Sequence, residues 1–419
     1  LDGACAPVYR VVTDSRQVEP GDVFWALRGP EQDGADFSHE ALLRGAVGVV
    51  SERRVEPWAG RWTLQVPHSE VALWELARWR RKRFGGAAVA IAGNLGKTIT
   101  GRMINTVLRT RLTGVSFLTT QAPGALPLAM LAIDPLDDFA VFELAATAGQ
   151  MEAQAKLCAP HVAILTGLSS TARDSSNSDE NSPLQLAEQL KPNAWLVLPG
   201  DDSRMRKIAA QTRARVVFFG RRGDCDVAAT EVEYRRGMLR FRIDQIRFCI
   251  PVWGRHSLGA VLAAFAVGRI FDLPAEEIAE ALSGYEPPPS RCQVSDAGGV
   301  TFVDDSHCAD ATSATAALEM LREFDSLGRK IVVCGELEGP GADAAELHRD
   351  FGGQVVHTCG ADYLVACGPL GGELARGAIE AGMPADQVAE CSHSAEAVTL
   401  LARELAPGDV VLVKGKHVP

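Results

Sequence analysis

The stretch Gly93-Asn94-Leu95-Gly96-Lys97-Thr98 decides the fold, because it joins a predicted strand to a predicted helix. The strand is the apolar, partly β-branched run at residues 88–92, and the helical pattern covers residues 98–108. Glycines in such a turn allow positive φ and let the backbone approach a phosphate group. The amides and the dipole of the following helix attract the anion. The stretch therefore predicts a nucleotide-phosphate site.

The predicted phosphate contacts are Gly93, Asn94, Gly96, Lys97 and Thr98. Lys97 is expected to contact the terminal phosphates, and Thr98 to present its hydroxyl to a magnesium ion. The glycine spacing, GxxGKT, is shorter than that of the common P-loop. An ordinary glycine-bearing turn is the alternative, although the position between strand and helix favours nucleotide binding.

The residues around this turn predict a central nucleotide-binding P-loop domain at 86–286, and the family resemblance described below implies that its nucleotide is ATP. Further buried-strand candidates lie at 140–144, 162–166, 195–199 and 216–219, and helical stretches separate several of them. This alternation is typical of a mainly parallel sheet that is covered on both faces. A strand-rich stretch at 227–250 and an apolar helix at 257–271 close the segment.

Two further domains are predicted on either side, which makes the chain a three-domain α/β protein. Residues 1–85 alternate strand and helix over a short distance and predict a small α/β domain. Pro287-Pro288-Pro289 is a stiff linker, since three prolines cannot continue a helix. Strands at 300–303, 330–334, 363–367 and 410–413 then predict a doubly wound, Rossmann-like domain at 287–419.

Composition narrows the class of protein. The 419 residues contain 42 Lys and Arg against 53 Asp and Glu, a formal charge of −11, which disfavours sequence-independent nucleic-acid binding. The ten cysteines form no CxxC pair and predict reduced, mostly buried thiols in a cytoplasmic protein. We expect no membrane span, because no apolar run of about 18 residues occurs, and no signal peptide, because the first residues lack a basic region followed by an apolar stretch. The sequence does not indicate an oligomeric state.

Strings in the first segment carry a family resemblance. They are Thr13-Asp14-Ser15-Arg16, Pro20-Gly21-Asp22-Val23-Phe24 and Ala26-Leu27-Arg28-Gly29. With these strings and the phosphate turn, the chain resembles the Mur ligases, and among them the MurF branch, over essentially its whole length. The resemblance implies that Ser15 and Arg16 contact the uridine diphosphate end of a nucleotide-linked substrate. The alternative is that Asp14 and Ser15 cap a turn.

Strings in the last segment extend the resemblance. Val303-Asp304-Asp305-Ser306, Glu346-Leu347-His348 and the run from Pro407 to Gly415 are similar to the MurF ligase domain. The Asp-Asn-Pro-Arg string by which many MurE enzymes read diaminopimelate is absent, which favours MurF. The resemblance implies an ATP- and Mg²⁺-dependent ligase that activates a carboxylate as an acyl phosphate, which an amine then attacks. Its substrates would be a nucleotide-linked peptide or other carboxylate, and an amine.

The resemblance also implies roles for single residues, and Lys97, Glu143 and Arg291 are the predicted catalytic set. Glu143 matches the magnesium-binding glutamate, and Arg291 matches an interdomain arginine that reaches the nucleotide phosphates. The remaining matches are His256 near the adenine, Asp305 near the ribose, and Lys414 facing the cleft and its substrate. Each has a structural alternative: a strand-end acid, a surface cation, a buried histidine, or a capping residue.

Several departures from the MurF pattern lie at positions that bind metal or nucleotide in the family. Leu95 replaces an asparagine, Gln121-Ala122-Pro123-Gly124 replaces an asparagine-rich string, and Ser257 and Cys308 replace asparagines near the adenine. Leu165-Thr166-Gly167-Leu168 stands where the family has an asparagine followed by a metal-binding histidine. The carbamylated lysine of the family should lie near Ala187, but Lys191 is the nearest lysine.

These substitutions affect the two metal sites of the family to different degrees. Thr98 and Glu143, with phosphate oxygens and water, suffice for a first magnesium ion, whereas a second metal loses two of its three usual protein ligands. The usual MurF mechanism is therefore expected to be impaired or absent, unless Glu188, Asp174 or Asp179 supplies other ligands. Two hypotheses stay open: a ligase acting on a UDP-muramyl peptide or a repurposed substrate, and a catalytically degenerate Mur-like protein that binds nucleotide or a partner.

Overall fold

Three β-sheets, of four, nine and six strands, divide the chain in sequence order. The computed structural model describes residues 8–29, 32–56, 58, 60–93, 96–118, 124–144, 149–167, 182–235, 237–254, 257–287, 290–307, 309–324, 326–338 and 343–415. Strand pairs within the first sheet are parallel, and those of the other two sheets are mainly parallel. The predicted three-domain α/β architecture is confirmed.

The first sheet is small. Its strands, in spatial order, are β1 (Val11–Val12), β2 (Val23–Trp25), β3 (Gly48–Ser51) and β4 (Trp62–Gln65). Its helical elements are the 3₁₀ helices Ser15–Gln17 and Gly34–Phe37 and the helix α1 (Ser38–Leu43). The sequence pattern does not predict β4, because this edge strand buries none of its four residues.

The central sheet has nine strands in the order β13-β12-β11-β10-β9-β8-β5-β7-β6. They are β5 (Ala87–Ala92), β6 (Gly114–Phe117), β7 (Phe139–Glu143), β8 (Val162–Leu165), β9 (Trp195–Pro199), β10 (Arg215–Gly220), β11 (Val227–Arg235), β12 (Met238–Ile243) and β13 (Ile246–Pro251). Only the last three strands include antiparallel pairs among the described residues, β11 with β12 and β12 with β13.

Helices cover both faces of this sheet. α2 (Ser69–Arg83) precedes it, and the others are α3 (Lys97–Leu108), α4 (Ala125–Leu131), α5 (Met151–Cys158), α6 (Ser182–Glu188), α7 (Ser203–Ala209), α8 (Ser257–Ile270) and α9 (Ala275–Ser283). Val89 and Ile91 of β5 pack in the apolar cluster on the α3 and α8 side, and Ala88 and Ala90 pack in the cluster on the opposite side. A strand buried on both faces reads as a continuous apolar run, which is why β5 was predictable.

The third sheet has the order β14-β15-β19-β16-β17-β18. Its strands are β14 (Gln293–Ala297), β15 (Val300–Asp305), β16 (Lys330–Cys334), β17 (Tyr363–Cys367), β18 (Val388–Cys391) and β19 (Val410–Lys414), and its helices are α10 (Ala311–Arg322), α11 (Ala344–Cys359), α12 (Gly371–Glu380) and α13 (Ser394–Glu404). A 3₁₀ helix at Ala385–Gln387 precedes β18. β14 is the antiparallel edge strand of this sheet, and the other pairs are parallel.

Some predictions fall partly or wholly outside the described residues. One is the exposed loop that the long polar stretch at residues 169–183 predicts, since residues 168–181 are outside and α6 begins at Ser182. Pro288 and Pro289 of the linker are also outside. Eight described cysteines are free, and all but Cys249 are buried. In the described part of the chain, no helix combines the length and apolar character needed to cross a membrane.

Candidate functional site

The phosphate turn lies at the carboxyl end of β5, where α3 begins at Lys97. Gly93 has φ of 131° and Gly96 has φ of 75°, conformations that favour glycine. A Cβ at Gly93 would lie 2.4 Å from Thr166 Oγ1, whereas one at Gly96 would meet no described atom within 4 Å. The open space at Gly96 therefore adjoins the first amides of α3, where a phosphate is attracted. Asn94 and Leu95 lie outside the described residues.

Lys97, Thr98 and Glu143 form a hydrogen-bonded cluster beside this turn. Lys97 Nζ donates to Gly93 O at 2.9 Å and lies 3.9 Å from Glu143 Oε1. Thr98 Oγ1 donates to Glu143 Oε2 at 2.8 Å. Glu143 is the last residue of β7, which pairs with β5 in parallel, so the two strands end at the same edge of the sheet. Parallel pairing thus brings together groups that are 45 residues apart in sequence.

This cluster fits a magnesium ion. A threonine hydroxyl and a carboxylate are hard oxygen ligands, and Mg²⁺ typically takes one or two carboxylates and fills its remaining positions with phosphate and water. Side chains of Lys97 and Glu143 are 18% and 14% exposed, so the site is sheltered but open to a ligand. No group of three or more His, Cys, Asp or Glu side chains that could hold a metal occurs among the described residues. The donor set suits a phosphate-bound metal rather than a metal caged by protein alone.

Asp305 and Lys414 form a buried ion pair in the third sheet. They end the neighbouring parallel strands β15 and β19, where they lie in register. Lys414 Nζ donates to Asp305 Oδ2 at 2.6 Å, and the lysine side chain is fully buried. The other carboxylate oxygen accepts from Cys292 N at 3.1 Å. The structure therefore places Lys414 against Asp305, and Asp305 against the segment that follows the linker.

Arg291 is held between two residues in unusual backbone conformations. Ser290 and Cys292 have φ of 58° and 50°, which non-glycine residues seldom adopt. Ser290 Oγ donates to Asp304 Oδ2 at 2.9 Å, and the backbone of Cys292 is bonded to Asp305, so the end of β15 fixes both neighbours of Arg291. Such strained positions often occur at functional sites. Burial, together with Asp305, raises the pKa of the Cys292 thiol well above its usual value.

His307 lies in the electrostatic field of groups from two domains, and it was not among the predicted residues. Partial burial and the cation of Arg291 lower its pKa, while Glu143 and Asp305 oppose the shift. Its backbone N–H donates to Ser290 O at 3.1 Å. Arg102, one turn beyond Thr98 on α3, also lowers the pKa of His307. The signal in the sequence was its place directly after the Asp304-Asp305-Ser306 string.

In the first domain, Asp14 caps the 3₁₀ helix that contains Ser15 and Arg16. Its carboxylate accepts from the Arg16 backbone N–H at 3.0 Å and pairs with the guanidinium, and Arg16 holds the pKa of Asp14 below its usual value. Ser15 Oγ donates to Glu40 Oε2 at 2.9 Å and is buried. Arg16 is 78% exposed and is accessible to a ligand.

The positions where the chain departs from MurF have different surroundings. Leu186 and Ala187 are fully buried in the apolar cluster of the central domain, whereas Glu188 is exposed. Ser257 begins α8 and donates its hydroxyl to Trp253 O at 3.0 Å. The remaining predicted or substituted positions, His256, Cys308, Leu168, Asp174, Asp179 and residues 121–123, lie outside the described residues.

The central and third domains are joined by an aromatic contact. Trp253, which precedes α8, stacks on Phe324, which follows α10, with ring centroids 3.9 Å apart and an interplanar angle of 8°. Trp253 thereby packs against the apolar core of the third domain. A stacked pair of this kind holds two domains together through apolar burial and ring geometry.

Three family models match consecutive parts of the chain. They are the Mur ligase family catalytic domain at residues 7–77, the Mur ligase middle domain at 91–268 and the Mur ligase glutamate ligase domain at 290–417. The chain is 30% identical to the UDP-N-acetylmuramoyl-tripeptide–D-alanyl-D-alanine ligase of Treponema pallidum (strain Nichols), over 80% of the chain and 75% of that ligase. It is 26% identical to the protein of the same name from Bacillus subtilis (strain 168), over 98% of the chain and 91% of the relative.

Solved structures agree with this similarity. The crystal structure of MurF ligase from Thermotoga maritima in complex with ADP matches with a TM-score of 0.81 and 25% sequence identity, covering 99% of this chain and 95% of that one. The family models, the relatives and this structure agree along most of the chain, and they show that it belongs to the Mur ligase family.

Proposed function

We propose that this protein is an ATP-dependent ligase of MurF type, which joins a carboxylate to an amine. The proposed substrates are a UDP-N-acetylmuramoyl tripeptide and D-alanyl-D-alanine, or another carboxylate and amine in a repurposed reaction. The observation that carries the proposal is the cluster of Lys97, Thr98 and Glu143 at the carboxyl edge of the central sheet. The names of the relatives support the choice of substrates.

The proposed reaction has two steps. A carboxylate oxygen attacks the γ-phosphorus of ATP and ADP leaves, which gives an acyl phosphate. The amine nitrogen then attacks the acyl carbon, displaces phosphate and loses a proton. Catalysis of such a transfer depends on positioning and on neutralising the phosphoryl charge.

Single residues of the chain have separate roles in this reaction. Lys97, in the central domain, neutralises phosphate charge. Arg291 does the same from the segment after the linker, where its two strained neighbours hold it in place. Thr98 and Glu143 would hold Mg²⁺, which supplies charge neutralisation on the phosphates when bound. Arg16 would contact the diphosphate of the nucleotide-linked substrate, because it is the exposed cation of its turn. The ionic pairing of Asp305 with Lys414 would keep the end of β15 in place beside them.

A catalytically degenerate protein is the second candidate. It is favoured by the buried positions of Leu186 and Ala187, which lie where a second metal would require a lysine by the family resemblance. Such a protein would bind nucleotide without transferring phosphate. For either candidate we propose the cytoplasm as the location, in keeping with the free thiols of the eight described cysteines.

Separate measurements of ATP binding and phosphate release distinguish these candidates. The full chain is incubated with ATP, Mg²⁺, a UDP-N-acetylmuramoyl tripeptide and D-alanyl-D-alanine, and with panels of other carboxylates and amines. The ligase proposal expects phosphate release that needs both substrates and is lost in Lys97→Ala. Tight Mg²⁺-dependent ATP binding without phosphate release in any combination would contradict the ligase and support the degenerate protein.

A further inference from the structure

A polar pocket lies at the edge of the central sheet opposite the phosphate turn. It has a volume of about 430 Å³, and it lies between the last turn of α2, the C-terminal end of α5 and the residues that precede β8 and β9. β5 starts beside this pocket and ends at the phosphate turn. Its six residues span about 20 Å, at roughly 3.3 Å per residue. The pocket is therefore separate from the nucleotide site.

The lining of this pocket is cationic. Its basic side chains are Arg78, Arg81, Lys82, Lys156, Lys191 and His161, and the lining contains no carboxylate. This composition is unusual for a chain whose formal charge is −11. Basic groups that share a pocket without an acid raise the local concentration of anions. The pocket thus has the charge of an anion site within an acidic protein.

The partners of these cations leave much of their charge uncompensated. Arg81 donates to two backbone carbonyls at the end of α5, those of Cys158 at 2.6 Å and Ala159 at 2.9 Å. Neither acceptor carries a full charge. Arg78 and Lys156 form ion pairs with Glu75 and Glu152. Lys82 and Lys191 are exposed, and neither forms an ion pair with a described carboxylate. Three positive charges of the pocket therefore lack a described counter-ion.

The positive field of the pocket affects the pKa of His161. Its Nδ1 accepts from the backbone N–H of Ala88 at 3.0 Å, which fixes the ring and leaves the proton of the neutral form on Nε2. Partial burial lowers the pKa of His161, and the cations of Arg81 and Lys191 lower it further. A neutral imidazole held in this way offers one N–H donor beside the cations.

We propose that this pocket binds a small phosphate-bearing polyanion, such as a compound with a di- or triphosphate group. Clustered Lys and Arg side chains are suited to multivalent phosphate, and the volume is within the range of small-molecule sites. A bound polyanion would contact α2 on one side and α5 and the central sheet on the other. It would thereby add to the contacts that already join α2 to α5 and the central core, at a site remote from the ATP phosphates.

The imidazole signal of His161 provides a local test in the full chain. Sodium tripolyphosphate is titrated without Mg²⁺ at constant ionic strength while histidine signals are followed by NMR, and His161→Gln identifies the signal of interest. We expect a saturable change in this signal and a rise in the pKa of His161, since a bound anion offsets the field of Arg81 and Lys191. The same change should persist in Lys97→Ala, in which the phosphate turn is impaired.

A double variant and a matched control locate the binding. Lys82→Gln combined with Lys191→Gln should raise the dissociation constant about tenfold or more, because two of the uncompensated charges are gone. Arg81 is left intact because it caps α5. The control, Arg235→Gln with Arg403→Gln, removes the same charge from exposed positions outside the pocket and should leave the dissociation constant unchanged. An unsaturable response, or equal dissociation constants in the two double variants, would overturn the proposal.

Discussion

The hydroxyl of Thr98 donates to the carboxylate of Glu143 at 2.8 Å, and this bond links the start of α3 to the end of β7. It places a hydroxyl and a carboxylate side by side at the edge of the sheet where α3 presents its amides. The same carboxylate lies 3.9 Å from the ammonium group of Lys97. The start of α3 and the end of β7 thus bring together an ammonium group, a hydroxyl and a carboxylate, which suit the proposed nucleotide phosphate and its metal.

Glu143→Gln should weaken the effect of magnesium on nucleotide binding. The amide keeps an oxygen that can accept from Thr98 but loses the negative charge that attracts the metal. We expect the gain in ATP affinity on adding Mg²⁺ to fall about tenfold relative to the unmodified protein, as measured by calorimetry. Glu276→Gln, an exposed carboxylate on α9, is the control and should leave this gain unchanged. An undiminished gain in Glu143→Gln would remove Glu143 from the metal site.

Lys414→Met should destabilise the third domain. The change leaves Asp305 nearly buried without its cation, and loss of one member of a buried pair typically costs about 3–5 kcal/mol. Urea unfolding, with hydrogen exchange of the β19 amides, measures the loss. Lys330→Met, on the neighbouring strand, should cost much less because the ammonium group of that lysine donates to a neutral acceptor, the carbonyl of Arg322. Adding Asp305→Asn to Lys414→Met should recover part of the stability, and failure to recover any would argue against the ion pair.

The lowered pKa of His307 predicts a dependence of stability on pH. When the folded pKa lies below the unfolded value of about 6.5, the unfolded chain binds more protons between these two values. Stability contributed by the neutral ring is therefore present above that range and is lost as the pH falls through it. The melting temperature of the unmodified protein should drop more between pH 7 and pH 5 than that of His307→Gln.

The exposed histidine on α11 gives the comparison for this effect. His357→Gln should follow the unmodified protein across the same pH range, since His357 is exposed and is not among the groups that shift the pKa of His307. Identical pH profiles for the unmodified protein and His307→Gln would show that the field around His307 does not bear on folding.

Arg16→Ala should weaken binding of a UDP-linked ligand in the first domain. The guanidinium is exposed and available for bidentate contact with a diphosphate, although Asp14 now pairs with it. We expect the dissociation constant for UDP-N-acetylmuramoyl tripeptide to rise about tenfold, as measured by calorimetry. Arg54→Ala, another exposed arginine of this domain, is the control. Equal affinities in the two variants would exclude Arg16 from the site.

Local patterns in the sequence predicted the elements that carry the phosphate turn. β5 is buried on both faces and is therefore apolar at every position, and Gly93 and Gly96 mark the turn that follows it. The hydrophobic pattern did not predict the edge strands β6 and β14. β6 and β14 bury none of their residues, so no run or alternation distinguishes them from loops.

Long-range pairing could not be predicted from the residues alone. Lys414 and Asp305 are 109 residues apart, and their contact depends on β15 and β19 being neighbours in register. The same holds for His307, whose surroundings combine Glu143 of one domain with Arg291 of another. The positive φ values on both sides of Arg291 also have no sequence signal, because neither residue is a glycine.

Titration of ATP into the full chain and into Lys97→Ala, with Mg²⁺ present, tests the nucleotide site most directly. Lys207→Ala, an exposed lysine on α7, is the matched control. We expect the dissociation constant of Lys97→Ala to rise about 10- to 100-fold, as for the loss of a charged hydrogen bond to phosphate, while the control matches the unmodified protein. An ATP affinity that is the same in Lys97→Ala and in the control would contradict the assignment of this turn as the phosphate site.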